Sequence, residues 1–202
     1  MTEPKIVGIQ GGPGSFNEAA ALTHLPTVGI ANYQLRYLHT TENVFKALEK
    51  KEIEFGQFAL HNTLGGEVEE SAKAMAGRNF IIIEKYKIKI AHCLMISSKA
   101  KLAEIDTIIT HPQVLRQCEH KLEKHYSHLK LKICEGELID PAKVAELLGK
   151  GELPVSVATL SNKNLAQIHG LSVVAEDLQD SDNNYTTFAL VKLLSPNHHS
   201  HS

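Results

Sequence analysis

The sequence predicts an α/β protein of two α/β lobes with a cleft between them, on three observations. Short apolar runs bounded by glycine and small polar residues alternate with amphipathic stretches several times along 202 residues, the pattern of largely parallel sheets flanked by helices. A hydrophobic content of 43% is enough to bury a core. Two extended stretches, 80–96 and 183–194, are placed to cross from one group of elements to the other and back.

In chain order, 5–10 (KIVGIQ) reads as a strand and 17–24 as a helix. Residues 41–51 form an amphipathic helix with Thr41 as its N-cap and Val44, Phe45 and Leu48 on one face. A strand over 55–60 ends in the polar loop HNTLGGE, and a helix follows over 67–75. The second lobe repeats the theme: a strand at 105–109, the turn THPQ, and a helix over 113–126 with Pro112 in the first turn, where a missing N–H costs nothing. Then come a strand at 129–134, a helix over 142–148 started by Asp140 and Pro141, and a strand at 155–159. Ser161 caps a helix that Gly170 ends at residue 169, and 171–175 leads out. The expected division is 1–84 with 176–194 as first lobe, 85–175 as second, and 195–202 (SPNHHSHS) as a disordered His-rich tail.

Charge narrows the classes of partner. The 21 basic and 23 acidic residues give a net charge of -2 without long single-sign blocks, which argues against nucleic acid or an anionic membrane surface and for a small molecule. No apolar run approaches eighteen residues and the first ten lack a signal peptide's pattern, so a cytoplasmic location is expected. Cys93, Cys118 and Cys134 are odd in number and never in a CxxC pair, as reduced, packed thiols would be.

The most conspicuous local motif is QGGPGSFNEAA, residues 10–20. It fits neither phosphate-loop pattern: Asn17 stands at the third glycine position of GxGxxG, and no lysine follows. Ser15 and Glu18 instead have the spacing of a capping box, and the glycines allow close backbone approach. Either a capped tight turn or one wall of an anion site fits the stretch. Similar junctions at HNTLGG, THPQ and TLSN, each a strand end followed by small polar residues and a helix, suit a pocket for a multiply charged organic acid. His61 and His111 are candidate acid–base groups or plain hydrogen-bonding loop residues, and neither has metal-ligand spacing.

Six motifs in order, GGPGSFNEAA, LHNTLGGEVEES, AHCLMI, THPQVLRQCEHKL, HGLSVVAEDLQD and NNYTTF, resemble the prephenate dehydratase family, which includes the arogenate dehydratases. The likeness runs over residues 6–191. It implies a cytosolic catalytic domain of two α/β lobes, similar to type II periplasmic binding proteins, with the active site in the cleft. The implied reaction is loss of water and carbon dioxide from prephenate to give phenylpyruvate, with neither cofactor nor metal, by a homodimer lacking the family's C-terminal regulatory domain. By the same resemblance Thr186 is the acid-like donor to the departing hydroxyl. Asn62, Thr110 and Gln117 bind the substrate's carboxylates and hydroxyl, Ser15 adds donors, and Phe188 completes the motif around Thr186.

This chain departs from the family at several places. Thr-Arg-Phe reads Thr186-Thr187-Phe188, Glu-Asn reads His61-Asn62, Glu135 and Glu137 stand in a turn where hydroxyl residues are expected, and Asn162 replaces a serine. Losing a guanidinium is expected to weaken binding of a dianion, and a protonated His61 would restore one charge. Two further readings stay open. One is a divergent arogenate dehydratase or prephenate decarboxylase, with Glu135 or Glu137 pairing with arogenate's ammonium group. The other is a non-catalytic protein that closes on a small acid.

Overall fold

The computed structural model describes residues 3–138 and 140–194; the expected tail at 195–202 lies outside them. Two compact units are present. One comprises the segment up to Gly12, Asn17–Ile88 and the segment from Tyr185, and the other comprises Pro13–Phe16 and Lys89–Asn184.

The first unit is built on strands β1 (Lys5–Ile9), β2 (Tyr33–Tyr37), β3 (Phe55–Asn62), β4 (Gly66–Glu67), β5 (Phe80–Lys89) and β11 (Tyr185–Leu193). The sheet order is β2-β1-β3-β11-β5, with β4 paired to β3. β1 runs parallel to β2 and β3, whereas β11 is antiparallel to β3 and places Thr186 opposite Asn62 and Thr187 opposite His61. Helices α1 (Phe16–His24), α2 (Thr41–Glu49) and α3 (Glu69–Met75) complete the elements. The expected face of α2 is buried: Val44 and Phe45 are fully covered, Leu48 nearly so, and they pack with Phe58, Ala189 and Val191. Burying a side chain of this size contributes about 1.5–3 kcal/mol. Gly56 lets α2 approach β3, because a Cβ there would meet Val44 and Leu48.

Two expectations for this unit need correction. The N-cap of α2 is Thr40, whose Oγ1 accepts from the Asn43 amide at 3.1 Å and whose backbone is extended (φ −123°, ψ 152°). Thr41 is already helical and fully buried, with its hydroxyl 2.9 Å from Ser71 Oγ. The sequence does not predict β2. Its YQLRY sequence sits at the sheet edge, half-buried and exposed in alternation, and carries little apolar signal.

The second unit holds β6 (Cys93–Ser97), β7 (Thr107–Thr110), β8 (Lys130–Ile133), β9 (Val157–Ser161) and β10 (Leu171–Ala175) in the order β10-β6-β9-β7-β8. β7, β8 and β9 are parallel, and β6 is antiparallel to both β9 and β10. The helices are α4 (Pro112–Gln117), α5 (Glu119–Tyr126), α6 (Pro141–Lys150) and α7 (Asn164–His169). The single helix expected over 113–126 is thus two, because Cys118 leaves helical geometry (φ −119°, ψ 8°) while sitting fully buried in the core. Asp140 caps α6 as expected, accepting from the Lys143 amide at 2.8 Å. Ser161 ends β9 and does not cap α7, whose N-cap is Lys163; Asn162 Oδ1 accepts from the Asn164 amide at 3.1 Å at the helix start. Residues 171–175 form an edge strand.

Cys93 and Cys118 are buried and Cys134 half-buried, all as free thiols. Burial raises all three thiol pKa values, to about 12 for Cys118 and about 11 for Cys134, so none is a ready nucleophile. Among the described residues no helix is long and apolar enough to cross a membrane.

Candidate active site

In the first unit the chemistry gathers at the carboxyl end of β3. The turn after that strand returns two backbone amides, Leu64 and Gly65, to Asn62 Oδ1, each at 2.9 Å. With its oxygen occupied by two donors, the Asn62 amide has its NH2 aimed at β11, where it donates to Thr186 Oγ1 at 3.0 Å and to the Tyr185 carbonyl at 3.2 Å. An amide nitrogen only donates. Thr186 Oγ1 is therefore the acceptor in this bond, and the threonine proton is not spent on it. Both residues are largely buried, Asn62 at 8% and Thr186 at 9% exposure, so a donor here is shielded from most competing water.

Position 61 and position 187 belong to the other face. Side chains alternate along a strand, and His61 lies opposite Thr187 in register. Both line a cavity of about 430 Å³ with Glu67 and Lys85. The structure does not bring His61 to Asn62 and Thr186, and it gives Thr187 the same separation from that pair. Phe188, two residues on from Thr186 and on the same face of β11, is 1% exposed and stacks on Tyr86 with ring centroids 6.5 Å apart, so its ring is packed into the core.

The second unit carries Thr110, Gln117 and Asn162 at the carboxyl ends of β7, α4 and β9. Thr110 is fully buried and its hydroxyl donates to the Leu160 carbonyl at 2.6 Å, while Thr159 donates to the Ile109 carbonyl at 2.8 Å. These reciprocal bonds clamp β7 to β9 beyond their ladder and leave Thr110 no proton for a ligand. Gln117 is only half-buried. Its Oε1 receives His92 Nε2 at 2.7 Å and Asn184 Nδ2 at 3.2 Å. Asn162 is 7% exposed and its Nδ2 has no acceptor among the described residues. His111 is exposed and caps α4, its Nδ1 accepting from the Gln113 amide at 3.2 Å. Glu135 and Glu137 are exposed on the turn after β8.

Ser15, half-buried, immediately precedes α1 and belongs to the second unit. The loop before it depends on Gly14, which has φ +79° and lies where a Cβ would overlap the Leu165 side chain. Glu18 accepts from the Tyr37 hydroxyl, and burial together with that carboxylate pushes the Tyr37 pKa to about 12. Sequence reasoning assigned no role to His92 or Asn184. Both lie within motifs that carried the resemblance, AHCLMI and NNYTTF, but nothing local shows that they meet at Gln117.

The family model described as prephenate dehydratase matches residues 7–195. An Arabidopsis thaliana protein named arogenate dehydratase/prephenate dehydratase 2, chloroplastic, is 28% identical over 185 residues, which is 92% of this chain and 45% of that protein. The bifunctional chorismate mutase/prephenate dehydratase of Stutzerimonas stutzeri is 26% identical over 191 residues, 95% of this chain and 49% of that protein. The chain thus spans about half the length of these relatives. Among solved structures, the prephenate dehydratase from Arthrobacter aurescens in complex with L-Phe has a TM-score of 0.81 at 23% identity, covering 95% of this chain and 61% of that one, a likeness of fold.

Proposed function

The chain belongs to the prephenate dehydratase family, and from that premise we propose that it converts prephenate to phenylpyruvate, in the synthesis of phenylalanine. In this reaction the bond between the ring and its carboxylate breaks, its electron pair completes the aromatic ring, and the ring hydroxyl leaves as water after taking up one proton. Dianion plus proton gives monoanion, carbon dioxide and water.

The observation that carries the reading is the Asn62–Thr186 bond at 3.0 Å. Asn62 is fixed as donor by the two turn amides on its oxygen, so the Thr186 hydroxyl keeps its proton for the departing oxygen. Threonine is a weak acid, and aromatisation supplies the driving force while the hydroxyl orients the leaving group. Gln117, Asn162 and Ser15 are the proposed donors to the carboxylates. Thr110, Phe188 and His61 are not carried into this set, for the reasons of geometry above.

Replacing Thr186 by Ala is expected to lower kcat by about 10²–10⁴, the usual span for a positioned proton donor, and Thr186→Ser to restore much of it. Asn62→Asp should be nearly as damaging, because a carboxylate there takes the threonine proton instead of leaving it free. Phenylpyruvate formation is followed by its absorbance in alkali; a parent protein that forms none from prephenate, or a Thr186→Ala variant equal to the parent, defeats the proposal. Arogenate is the second substrate to offer, since the Arabidopsis relative carries both acids in its name, and the ratio of kcat/KM on the two acids decides between them.

Two finer features join the proposal. A reducing compartment such as the cytoplasm suits the three free thiols. A homodimer would find an unpaired edge at β5, where Ile81, Ile82 and Ile83 are 43%, 40% and 41% exposed.

A further inference from the structure

We propose that His92 and Asn184 are positioning residues that hold the Gln117 amide with its oxygen inward and its NH2 outward, as a two-proton donor for a substrate carboxylate. The inference rests on the reading of Gln117 as a carboxylate ligand.

Gln117 ends α4, and its main chain is tied down where it stands: its carbonyl accepts from the Asp180 amide at 2.7 Å. Asp180 in turn accepts from the His120 and Lys121 amides at 2.9 Å each, capping α5. The side chain is then fixed by two donors on one oxygen, His92 Nε2 and Asn184 Nδ2. An amide oxygen has no proton, so the hydrogen in the first bond sits on His92 Nε2. That choice of tautomer leaves His92 Nδ1 bare, and it is buried without a partner among the described residues.

Everything around His92 holds the ring in that role. The imidazole is 2% exposed, and the Phe16 ring meets it edge-on with centroids 5.7 Å apart. Its main-chain amide donates to Gln179 Oε1 at 2.9 Å, and its carbonyl accepts from the Leu178 amide at 2.9 Å. Burial lowers its pKa, against the Gln117 bond; a second ring proton would have no acceptor on Nδ1. A neutral, Nε2-protonated imidazole is a permanent donor. Rotating the Gln117 amide by half a turn would set its NH2 against Asn184 Nδ2 and would require the His92 proton to sit on buried Nδ1, where no acceptor is present among the described residues, so this orientation is the satisfied one and its NH2 faces away from both.

The test compares His92→Leu, which removes the donor, His92→Gln, which supplies one from its own amide, and Asn184→Asp, which sets an acceptor against the Gln117 oxygen in an unchanged volume. Steady-state kinetics on prephenate should show KM raised about tenfold in His92→Leu and in Asn184→Asp, the scale of one oriented hydrogen bond to a charged group, with kcat within about twofold of the parent. His92→Gln should stay near the parental KM. In parallel, the Gln117 side-chain amide pair is followed by ¹H–¹⁵N NMR, identified by its loss in Gln117→Met. Two distinct amide protons that move on prephenate addition are expected in the parent, and altered shifts in Asn184→Asp. Parental KM values in both donor-removing variants, or a Gln117 amide signal unchanged in Asn184→Asp, would overturn the assignment. A parent that turns over no prephenate defeats the proposed reaction instead, and the amide signals still judge the positioning.

Discussion

Two side-chain amides in this protein are aimed by one device. Asn62 has its oxygen held by two backbone amides and Gln117 has its oxygen held by two side-chain donors, so each NH2 points one way without needing a ligand to orient it. Such preorganisation removes a cost that a substrate would otherwise meet on binding. For Gln117 the device includes a buried neutral histidine, and this has a consequence for stability. Burial places the folded-state pKa of His92 below its ordinary value of 6.5. As pH falls below that value the unfolded chain takes up a proton that the folded protein refuses, so stability is full above it and is lost toward acid. The loss amounts to at most about 1.4 kcal/mol per pH unit until the folded-state pKa is reached. Urea unfolding of the parent and His92→Gln at pH 7.5 and 5.5 checks this: the parent should lose more stability than the variant over that interval, and equal losses would refute it.

At the scale of elements, the β3–β11 register changes the meaning of two departures from the family pattern. The family's Glu and Arg would stand at 61 and 187, which are direct cross-strand neighbours. His61 and Thr187 therefore replace an opposed pair of charges together, and on the face away from Thr186. The missing arginine is not expected to weaken binding of a dianion at Thr186, contrary to the sequence-based expectation. Thr187→Arg alone should leave the KM for prephenate unchanged, and Thr187→Arg combined with His61→Glu should be more stable than the two single effects added, by about 0.2–1 kcal/mol; a double-mutant cycle by thermal denaturation measures the term. The Ser15 loop makes a second prediction. Gly14→Ala forces a side chain into a left-handed backbone and against Leu165, and should cost about 1–3 kcal/mol of stability by chemical denaturation. These elements also show what a sequence can and cannot reveal. Strands such as β3 and the buried face of α2 announce themselves through local periodicity. Which of Thr40 and Thr41 caps α2, or that Thr186 faces Asn62 while Thr187 faces His61, depends on partners far along the chain. Thr110 and Phe188 carry the family's motifs equally well on paper, yet one is sealed by a strand clamp and the other stacks in the core.

For the whole molecule, the decisive feature is that the last strand of the first unit arrives late. β11 lies between β3 and β5 rather than at an edge, and it brings Phe188, Ala189, Leu190 and Val191, each no more than 1% exposed. The Asn62–Thr186 bond closes a separation of 124 residues, so the pairing that creates the candidate site also carries a large loop-closure cost. The second unit is nearly continuous, from Lys89 to Asn184, with only Pro13–Phe16 drawn from elsewhere. A chain ended after Asn184 should therefore lose the first unit and keep the second. Without β11, β3 and β5 each lose a neighbour and the core over α2 loses Ala189 and Val191, whereas β6, β7 and β9 keep every strand they pair with. Hydrogen exchange on the shortened chain should show amides of β1 and β3 exchanging within seconds while those of β6 and β9 stay protected on the order of hours, the range between local opening and global unfolding. Equal loss of protection in both sets would mean that the second unit draws its stability from the first, and that the two fold as one.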